Sequence, residues 1–303
     1  MIENLHKPIM VNEILKFTEG LSNLNILDCT FGGGGHTLQF LNKNHKVFAL
    51  DCDPNAIDIA KHLKKKLTNL FYFQINFKDI DLVNDKNFKQ CKFDFILLDL
   101  GYSSNQLENV DIGISFKTDA NLNMNYLDNE NSAFNIINYY SEEDLSKVFF
   151  EFGEIFQSKK LAKYIVESRK TKKINTNFEL IEVLRDSKVN FKSKKIHFAT
   201  QAFQALRIEA NNELANLKIF LNKIHDYIQK GGFLAIISFH SLEDRIVKNF
   251  FKDNSFLKGG SFKNGDNWAF EILTKKPITP QIEEIKYNPR SRSAKLRVGK
   301  FIN

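Results

Sequence analysis

The sequence predicts an α/β protein whose parallel sheet is covered by helices on both faces and is interrupted once by a helical insertion. Short segments that are apolar almost throughout alternate with helical patterns in the first third of the chain, at residues 24–30, 46–53, 70–77 and 92–101. Strands of this kind are buried on both faces, as in parallel sheets. The alternation stops near residue 107 and resumes with the apolar run "FLAIISF" at 233–239.

Each predicted helix has a recognisable start. "HTLQFL" follows the first strand directly, and Pro54 opens the helical stretch after the second. Ser141 and Thr176 are each followed three residues later by an acid, which predicts capping boxes before "LSKVFFEF" and "LIEVLRD". Gly231 and Gly232 precede the last apolar run, where they predict a turn that restarts the sheet.

These elements predict two domains, one of which is discontinuous in the sequence. Residues 1–106 and 198–303 form the α/β domain, which carries the predicted ligand site. Residues 107–197 form an inserted, helical and basic domain, which we expect to recognise the substrate.

Composition excludes several classes of protein. Of the 303 residues 43% are hydrophobic and 26% charged, which is typical of a globular protein. The N-terminus lacks the apolar stretch of a signal peptide, and the longest apolar runs are too short to cross a bilayer. Three cysteines without paired spacing favour reduced thiols. The histidines are scattered and do not form the spacing of a metal site. Together these observations lead us to expect a cytoplasmic protein without a metal or a membrane partner.

Positive charge is concentrated in two segments. The chain carries a net charge of +7, yet residues 158–195 alone contain 12 basic and 4 acidic side chains, and residues 286–300 contain 6 basic and no acidic ones. The rest of the chain is therefore net acidic. Such a distribution favours binding of a polyanion such as nucleic acid. The alternative is a solvated helix face together with a charged tail.

The stretch "ILDCTFGGGGHT" at 26–37 predicts a ligand site between the first strand and its helix. No lysine follows the glycines as in a phosphate-binding P-loop, and the third glycine of a dinucleotide fingerprint is absent. A nucleoside without a phosphate remains. Four successive predicted strands end in residues that S-adenosylmethionine could use: Asp28, Asp51, Phe77 and Asp99. Asp28 would hold the loop amides or an ammonium group, Asp51 the ribose hydroxyls and Phe77 the base. Alternatively, Asp28 and Asp51 are caps and Phe77 is a core residue.

Several stretches resemble the bacterial 16S rRNA (cytosine-N4)-methyltransferase family, in order from about His6 to Arg297: "LDCTFGGGGHT", "ALDCDPNAI", "FDFILLDLGYSSNQL", "HFATQAFQALRIEANNEL", "GGFLAIISFHSLEDRIVKNFF" and "NPRSRSAKLR". The resemblance implies a Rossmann-like class I methyltransferase sheet and S-adenosylmethionine as cofactor. It places the cofactor contacts at Gly34, Gly35, His36, Asp51, Phe77, Asp99 and Gln106. His36 and Gln106 are implied by the resemblance alone.

The implied reaction gives Asp99 a catalytic role. A cytosine N4 is a poor nucleophile because its lone pair is delocalised into the ring. Asp99 and the backbone carbonyls of Leu100 and Gly101 would accept hydrogen bonds from this amine and stabilise the charge that develops on it. The base must be single-stranded or flipped out to reach such a pocket.

The resemblance and the charge distribution together predict the substrate contacts. These are Arg207, Ser238, His240, Arg245, Arg290 and Arg292, which would bind 16S rRNA or the small ribosomal subunit. For His240 a structural role in a hydrogen bond is the alternative. Deletion of residues 286–303 is expected to remove most of the salt dependence of RNA binding.

Two other functions remain open. A methyltransferase of the same fold could act on an amino group of another RNA or DNA base, and a non-catalytic assembly factor could retain the fold. The chain also departs from the family pattern in the inserted region, at Ile112, at "NMNY" (123–126), at Phe198 and at Gln201. These departures concern the contacts with RNA and leave the predicted cofactor residues intact.

Overall fold

A computed structural model describes residues 8–102, 112–115, 117–126, 131–190, 197–255 and 267–302. Two compact units divide the chain: residues 1–102 with 214–303, and residues 103–213. The sequence predicted an insertion at 107–197, which would assign the helix at Ala199–Asn211 to the α/β domain. In the structure this helix belongs to the second unit. Its buried Phe203 and Leu206 belong to the apolar cluster of the second unit.

The described strands of the first unit form one mixed sheet of seven. They are β1 (Asn25–Asp28), β2 (Lys46–Asp51), β3 (Leu70–Gln74), β4 (Phe93–Asp99), β5 (Ile228–Ser238), β6 (Ala269–Ile272) and β7 (Lys295–Ile302). The order is β3-β2-β1-β4-β5-β7-β6, in which β7 runs antiparallel to both β5 and β6. The five parallel strands were predicted, whereas β6 and β7 were not. β7 reads "KLRVGKFI", and its alternating basic residues were interpreted as a charged tail.

Helices of the first unit, numbered along the whole chain, cover the sheet on both faces. They are α1 (Val11–Leu15), α2 (Gly35–Leu41), α3 (Pro54–Lys64), α4 (Lys86–Lys89), α10 (Glu213–Lys223), α11 (Ser241–Asp253) and α12 (Ile282–Tyr287). One apolar layer includes Phe40 and Ala60 from α2 and α3, and the other includes Phe220 and Phe251 from α10 and α11. Within the described ranges no helix is both long and apolar enough to cross a membrane.

Two predicted strand boundaries differ most from the structure, the end of β3 and the beginning of β5. β3 ends at Gln74 because the Asn76 side chain accepts a hydrogen bond from the Lys78 amide and starts a 3₁₀ turn at Phe77–Leu82. β5 begins before the glycines that were expected to precede it. The register with β4 shifts there, and Gly231 has a φ of +81°. A Cβ on Gly232 would lie 2.9 Å from the Phe93 carbonyl oxygen, so glycine is required at this irregularity.

The second unit is helical where it is described. Its helices are α5 (Ala133–Tyr139), α6 (Glu142–Glu151), α7 (Ser158–Thr171), α8 (Asn177–Asp186) and α9 (Ala199–Asn211). Thr176 and Glu179 form the predicted capping box at α8. At α6 only the serine half is present: the Ser141 hydroxyl accepts from the Asp144 amide, and the shorter Asp144 side chain binds that hydroxyl instead of reaching back to the backbone.

Two of the departures in the inserted region have a structural role. Met124 is fully buried in the apolar cluster of the second unit. Gln201 donates a hydrogen bond from Nε2 to the Gly153 carbonyl oxygen at 2.8 Å, which links α9 to the turn after α6. Both side chains therefore contribute to the packing of this unit.

Candidate active site

The glycine loop between β1 and α2 is held by Asp28. Its Oδ1 accepts a hydrogen bond from the Thr30 amide at 3.2 Å, and its Oδ2 accepts one from the Thr37 hydroxyl at 2.7 Å. Asp28 is buried, and this burial raises the pKa of its carboxyl group, while the nearby His36 and the hydrogen bonds act in the opposite direction. Both carboxylate oxygens therefore fix the two ends of the loop to the strand.

Two glycines of the loop are packed too closely for a larger residue. Gly34 has a φ of +77°, and a Cβ there would lie 2.8 Å from Cζ of the buried Phe31 ring. A Cβ on Gly35 would lie 2.9 Å from Cδ of Pro8, so the proline ring of the N-terminal segment covers this residue. The loop is thus enclosed from two sides by its own protein.

Asp51 connects the end of β2 to the same loop. Its Oδ2 accepts a hydrogen bond from the Gly32 amide at 2.7 Å, and its Oδ1 accepts one from the Asp53 amide at 2.8 Å. Burial raises the pKa of Asp51 to about 6, although both amide hydrogen bonds oppose this shift. Each oxygen keeps further capacity to accept, which suits the hydroxyl groups of a ribose.

Asp99 and His36 approach each other beside the loop. The Asp99 amide donates to the Thr30 hydroxyl at 2.8 Å, and the Asp99 Oδ1 accepts from the Gly101 amide at 3.3 Å. The Oδ2 lies 3.8 Å from Nε2 of His36. This buried ring nitrogen has no hydrogen-bond partner among the described residues. Since buried polar atoms are normally paired, the site fits a polar ligand at this point.

The other two predicted cofactor residues are placed less directly. Phe77 begins the 3₁₀ turn after β3, and its ring packs edge-to-face on Phe220 with centroids 5.5 Å apart. Stacking of Phe77 on a base stays a prediction. Gln106 lies outside the described residues. The acceptor Asp51, the half-buried Phe77 and the unpaired His36 nitrogen together provide the chemistry that S-adenosylmethionine requires.

Ser238 ends β5 and His240 lies two residues beyond it, and the Ser238 hydroxyl and the His240 Nδ1 already have partners. Ser238 is buried and donates to the Lys295 carbonyl oxygen at 3.4 Å. His240 caps α11: its Nδ1 accepts from the Glu243 amide at 3.4 Å, and its Nε2 lies 3.1 Å from the Glu243 Oε1. This geometry corresponds to the structural alternative for His240. Contact of either residue with substrate stays a prediction.

The predicted arginines differ in exposure. Arg245 on α11 is exposed, as are Arg290 and Arg292 in the 3₁₀ turn at Pro289–Ser293. Arg207, in the second unit, instead forms a bidentate pair with Glu213 at 2.8 and 3.0 Å, and its side chain is only 14% exposed. The first three therefore lie at the surface, whereas Arg207 is largely buried and pairs with Glu213 within its own unit.

Three basic side chains of the insertion have partners within the protein. Arg169 donates to the carbonyl oxygens of Ile137 and Tyr140, both at 2.6 Å. Lys170 pairs with Glu167 and Lys172 with Glu179, in ion pairs at exposed positions. These three side chains are less available for direct contacts with a polyanion, while the net positive charge of the segment is unchanged.

Three residues of the site were not predicted. Thr30 and Thr37 flank the glycines and bind the acids at the ends of β1 and β4. Both belong to the quoted motif, but spacing alone does not reveal that the Thr37 hydroxyl meets the Asp28 carboxylate and the Thr30 hydroxyl the Asp99 backbone amide. Pro8 is far from the loop in sequence, and no local signal indicates its contact with Gly35.

Comparison with known proteins identifies the family of this chain. The MraW methylase family model matches residues 3–302. Ribosomal RNA small subunit methyltransferase H from Rickettsia canadensis is 40% identical and that from Rickettsia bellii 42% identical, over 98–99% of this chain and 99% of each relative. The structure of an rRNA methylase from Streptococcus thermophilus is 10% identical and covers 98% of both chains with a TM-score of 0.43. The fold is that of the class I methyltransferases, which was the predicted fold class, and the strand order is an addition from the structure. With a family match over nearly its whole length and relatives of this identity, the chain belongs to the MraW methylase family.

Proposed function

We propose that this methyltransferase transfers a methyl group from S-adenosylmethionine to the N4 amine of a cytosine in the decoding centre of 16S rRNA. The observation that carries the proposal is the cluster of Asp51, His36 and Asp99 around the glycine loop at the carboxyl edge of the sheet. The names of the relatives support small-subunit ribosomal RNA as the substrate.

The cofactor supplies an electrophilic methyl group on a sulfonium. Asp51 accepts hydrogen bonds from the ribose hydroxyls, and the tightly packed backbone at Gly34 and Gly35 lies beside the methionine portion. The ring of Phe77 contributes an aromatic surface for the adenine. Because these residues hold the reacting centre in a fixed position, much of the catalytic effect comes from orientation.

Asp99 acts on the amine. Its carboxylate accepts a hydrogen bond from N4, directs the nitrogen lone pair towards the methyl group and stabilises the positive charge that develops on nitrogen. The proton that N4 then releases is taken up by the carboxylate. The Gly101 amide holds Oδ1 in place. A Cβ on Gly101 would lie 2.8 Å from the Phe239 ring, so the backbone turn that provides this amide requires glycine.

Methyl transfer can be tested with labelled S-adenosylmethionine and two substrates, small ribosomal subunits and free 16S rRNA from cells lacking the protein. We expect N4-methylated cytidine by nucleoside mass spectrometry. Label in another nucleoside would favour the second function, an amino-methyltransferase with a different target. A protein that binds rRNA but not the cofactor would favour the non-catalytic assembly factor.

The pKa of Asp51 predicts how cofactor binding depends on pH. The carboxylate form is the better hydroxyl acceptor, so the affinity should rise between about pH 5 and 7 with a midpoint near the pKa of about 6. Stability of the free protein should change in the opposite direction. The folded state holds this proton more tightly than the unfolded chain, so the stabilising contribution of Asp51 falls as the pH rises from the ordinary aspartate pKa of 3.8 to the raised pKa of about 6.

Calorimetric titration and thermal unfolding over this pH range would measure both effects. The matched variant is Asp51→Asn, which keeps the shape but removes the ionisation. We expect weaker binding and a flat profile. A midpoint near 6 that persists in Asp51→Asn would show that another group titrates.

The exposed arginines predict the salt dependence of RNA binding. Deletion of residues 286–303 would also remove β7, which lies between β5 and β6 and whose Arg297 is buried against Asp244. The deletion would therefore disturb the sheet as well as the RNA-binding surface. We therefore propose the double variant Arg290→Ala/Arg292→Ala. Each phosphate contact contributes about 0.7 to the slope of log affinity against log salt for single strands, so the slope should decrease by about 1 to 2.

A suitable control is Lys65→Ala/Lys66→Ala, which removes two exposed charges beyond α3, on the side of the sheet where β3 begins. Its slope in filter-binding or fluorescence titrations should match that of the wild type. If both double variants show the wild-type slope, the turn at 289–293 is not part of the RNA-binding surface.

A further inference from the structure

A buried hydrogen bond joins the two ends of the described chain. Glu284 on α12 is 7% exposed, and its Oε1 accepts from the backbone amide of Met10 at 2.9 Å. Met10 itself is fully buried and has a left-handed backbone with φ 56° and ψ 33°. Only a few per cent of residues other than glycine adopt this conformation, so the surrounding contacts must hold it.

The N-terminal segment that carries Met10 lies directly on the glycine loop. Three ring carbons of Pro8 would lie within 3.0 Å of a Cβ on Gly35. Ile9 and Met10 share an apolar cluster with Phe31 of the loop and Phe40 of α2. The ring of Phe31 in turn restricts Gly34. The segment at 8–10 therefore forms one wall of the loop.

We propose that Glu284 is a positioning residue for cofactor binding, because its hydrogen bond to Met10 fixes Pro8 against the glycine loop. In this role Glu284 acts through the segment at 8–10 and not by a contact of its own with the cofactor. Loss of the acceptor leaves a buried amide unpaired and a left-handed residue without its anchor. The inference builds on the proposed function in so far as the loop binds S-adenosylmethionine.

A matched control separates a positioning role of Glu284 in cofactor binding from a general effect on the stability of the fold. Asp94 provides the matched control, since its Oδ2 accepts from the Asn25 amide at 2.8 Å and joins two distant parts of the same unit. That bond lies where β1 begins, at the end of the strand away from the glycine loop. Both Glu284→Ala and Asp94→Ala should lower the melting temperature. Only Glu284→Ala should weaken cofactor binding, by about tenfold, corresponding to the loss of one charge-assisted hydrogen bond.

Two measurements on the full-length protein test this. Calorimetry gives the dissociation constant of S-adenosylmethionine, and hydrogen–deuterium exchange of the free protein reports on the amides of residues 31–38. In Glu284→Ala these amides should exchange faster, whereas in Asp94→Ala they should not. Glu284→Gln retains an oxygen acceptor and should bind within about twofold of the wild type.

Wild-type affinity and wild-type exchange at 31–38 in Glu284→Ala would overturn the proposal and leave Glu284 with a purely stabilising role. A Glu284→Gln variant as weak as Glu284→Ala would overturn the hydrogen bond as the means of positioning. Absence of cofactor binding by the wild-type protein would instead overturn the proposed function, and the inference with it.

Discussion

Substitution of Asp99 by alanine should lower kcat for methyl transfer by about 10²- to 10³-fold, because the N4 amine loses its acceptor at the point where charge develops. Asp99 ends β4, where its backbone amide is fixed by Thr30 and its Oδ1 by Gly101. The protein framework around the lost carboxylate should therefore persist. Single-turnover methyl transfer to small subunits would measure the effect, with cofactor affinity determined separately.

The controls for this prediction separate chemistry from folding and binding. Asp99→Asn keeps one oxygen acceptor but cannot take up the released proton, so its rate should lie between those of the wild type and Asp99→Ala. Asp94→Ala removes a neighbouring carboxylate on the same strand that binds the Asn25 amide, and its kcat should be unchanged. An Asp99→Ala enzyme whose kcat falls less than tenfold at saturating cofactor would contradict the role assigned to this residue.

Substitution of Gly34 by alanine should weaken cofactor binding by more than about tenfold. The new Cβ would lie 2.8 Å from the ring of Phe31, which is only 3% exposed and cannot move aside without disturbing the core. The positive φ of +77° adds strain for any side chain. The loop should therefore shift relative to Asp51, whose Oδ2 is bound to the Gly32 amide.

Gly20→Ala is the matched control, because Gly20 has a φ of +75° but a Cβ there would meet nothing within 4 Å. It introduces the same backbone strain without a contact in the loop. Its melting temperature should fall slightly, and its cofactor affinity should equal that of the wild type. Equal affinities for all three proteins by equilibrium dialysis would show that the close packing around Gly34 is not needed for binding.

The ends of the parallel strands were predictable because strands buried on both faces leave an uninterrupted apolar record in the sequence. Asp28, Asp51 and Asp99 indeed end β1, β2 and β4. β6 and β7 were missed for the opposite reason. β7 alternates basic and apolar residues, and its positive charge was interpreted as a surface feature although Arg297 is buried against Asp244.

The partners of polar side chains were the least predictable part of the site. His240 was proposed to meet the substrate because it follows a strand, but its ring caps the helix that begins at the next residue. Arg207 is paired with Glu213, which is the first residue of the next helix. The contacts that hold the N-terminal segment on the glycine loop join distant parts of the sequence, namely Pro8 and Met10 with Glu284. Spacing and composition carry no information about contacts of this kind.

The position of β7 has a consequence for how the protein is made. This strand comes last in the described chain, yet it lies inside the sheet and provides the only described pairing for β6. A ribosome synthesising the protein has therefore already released the contiguous second unit before the sheet can close. The helical unit can fold during translation, whereas the methyltransferase sheet cannot close before β7 has been synthesised. A chain that is terminated early would contain the whole glycine loop but could not complete the sheet around it, so incomplete products should be cleared rather than compete for ribosomal substrate.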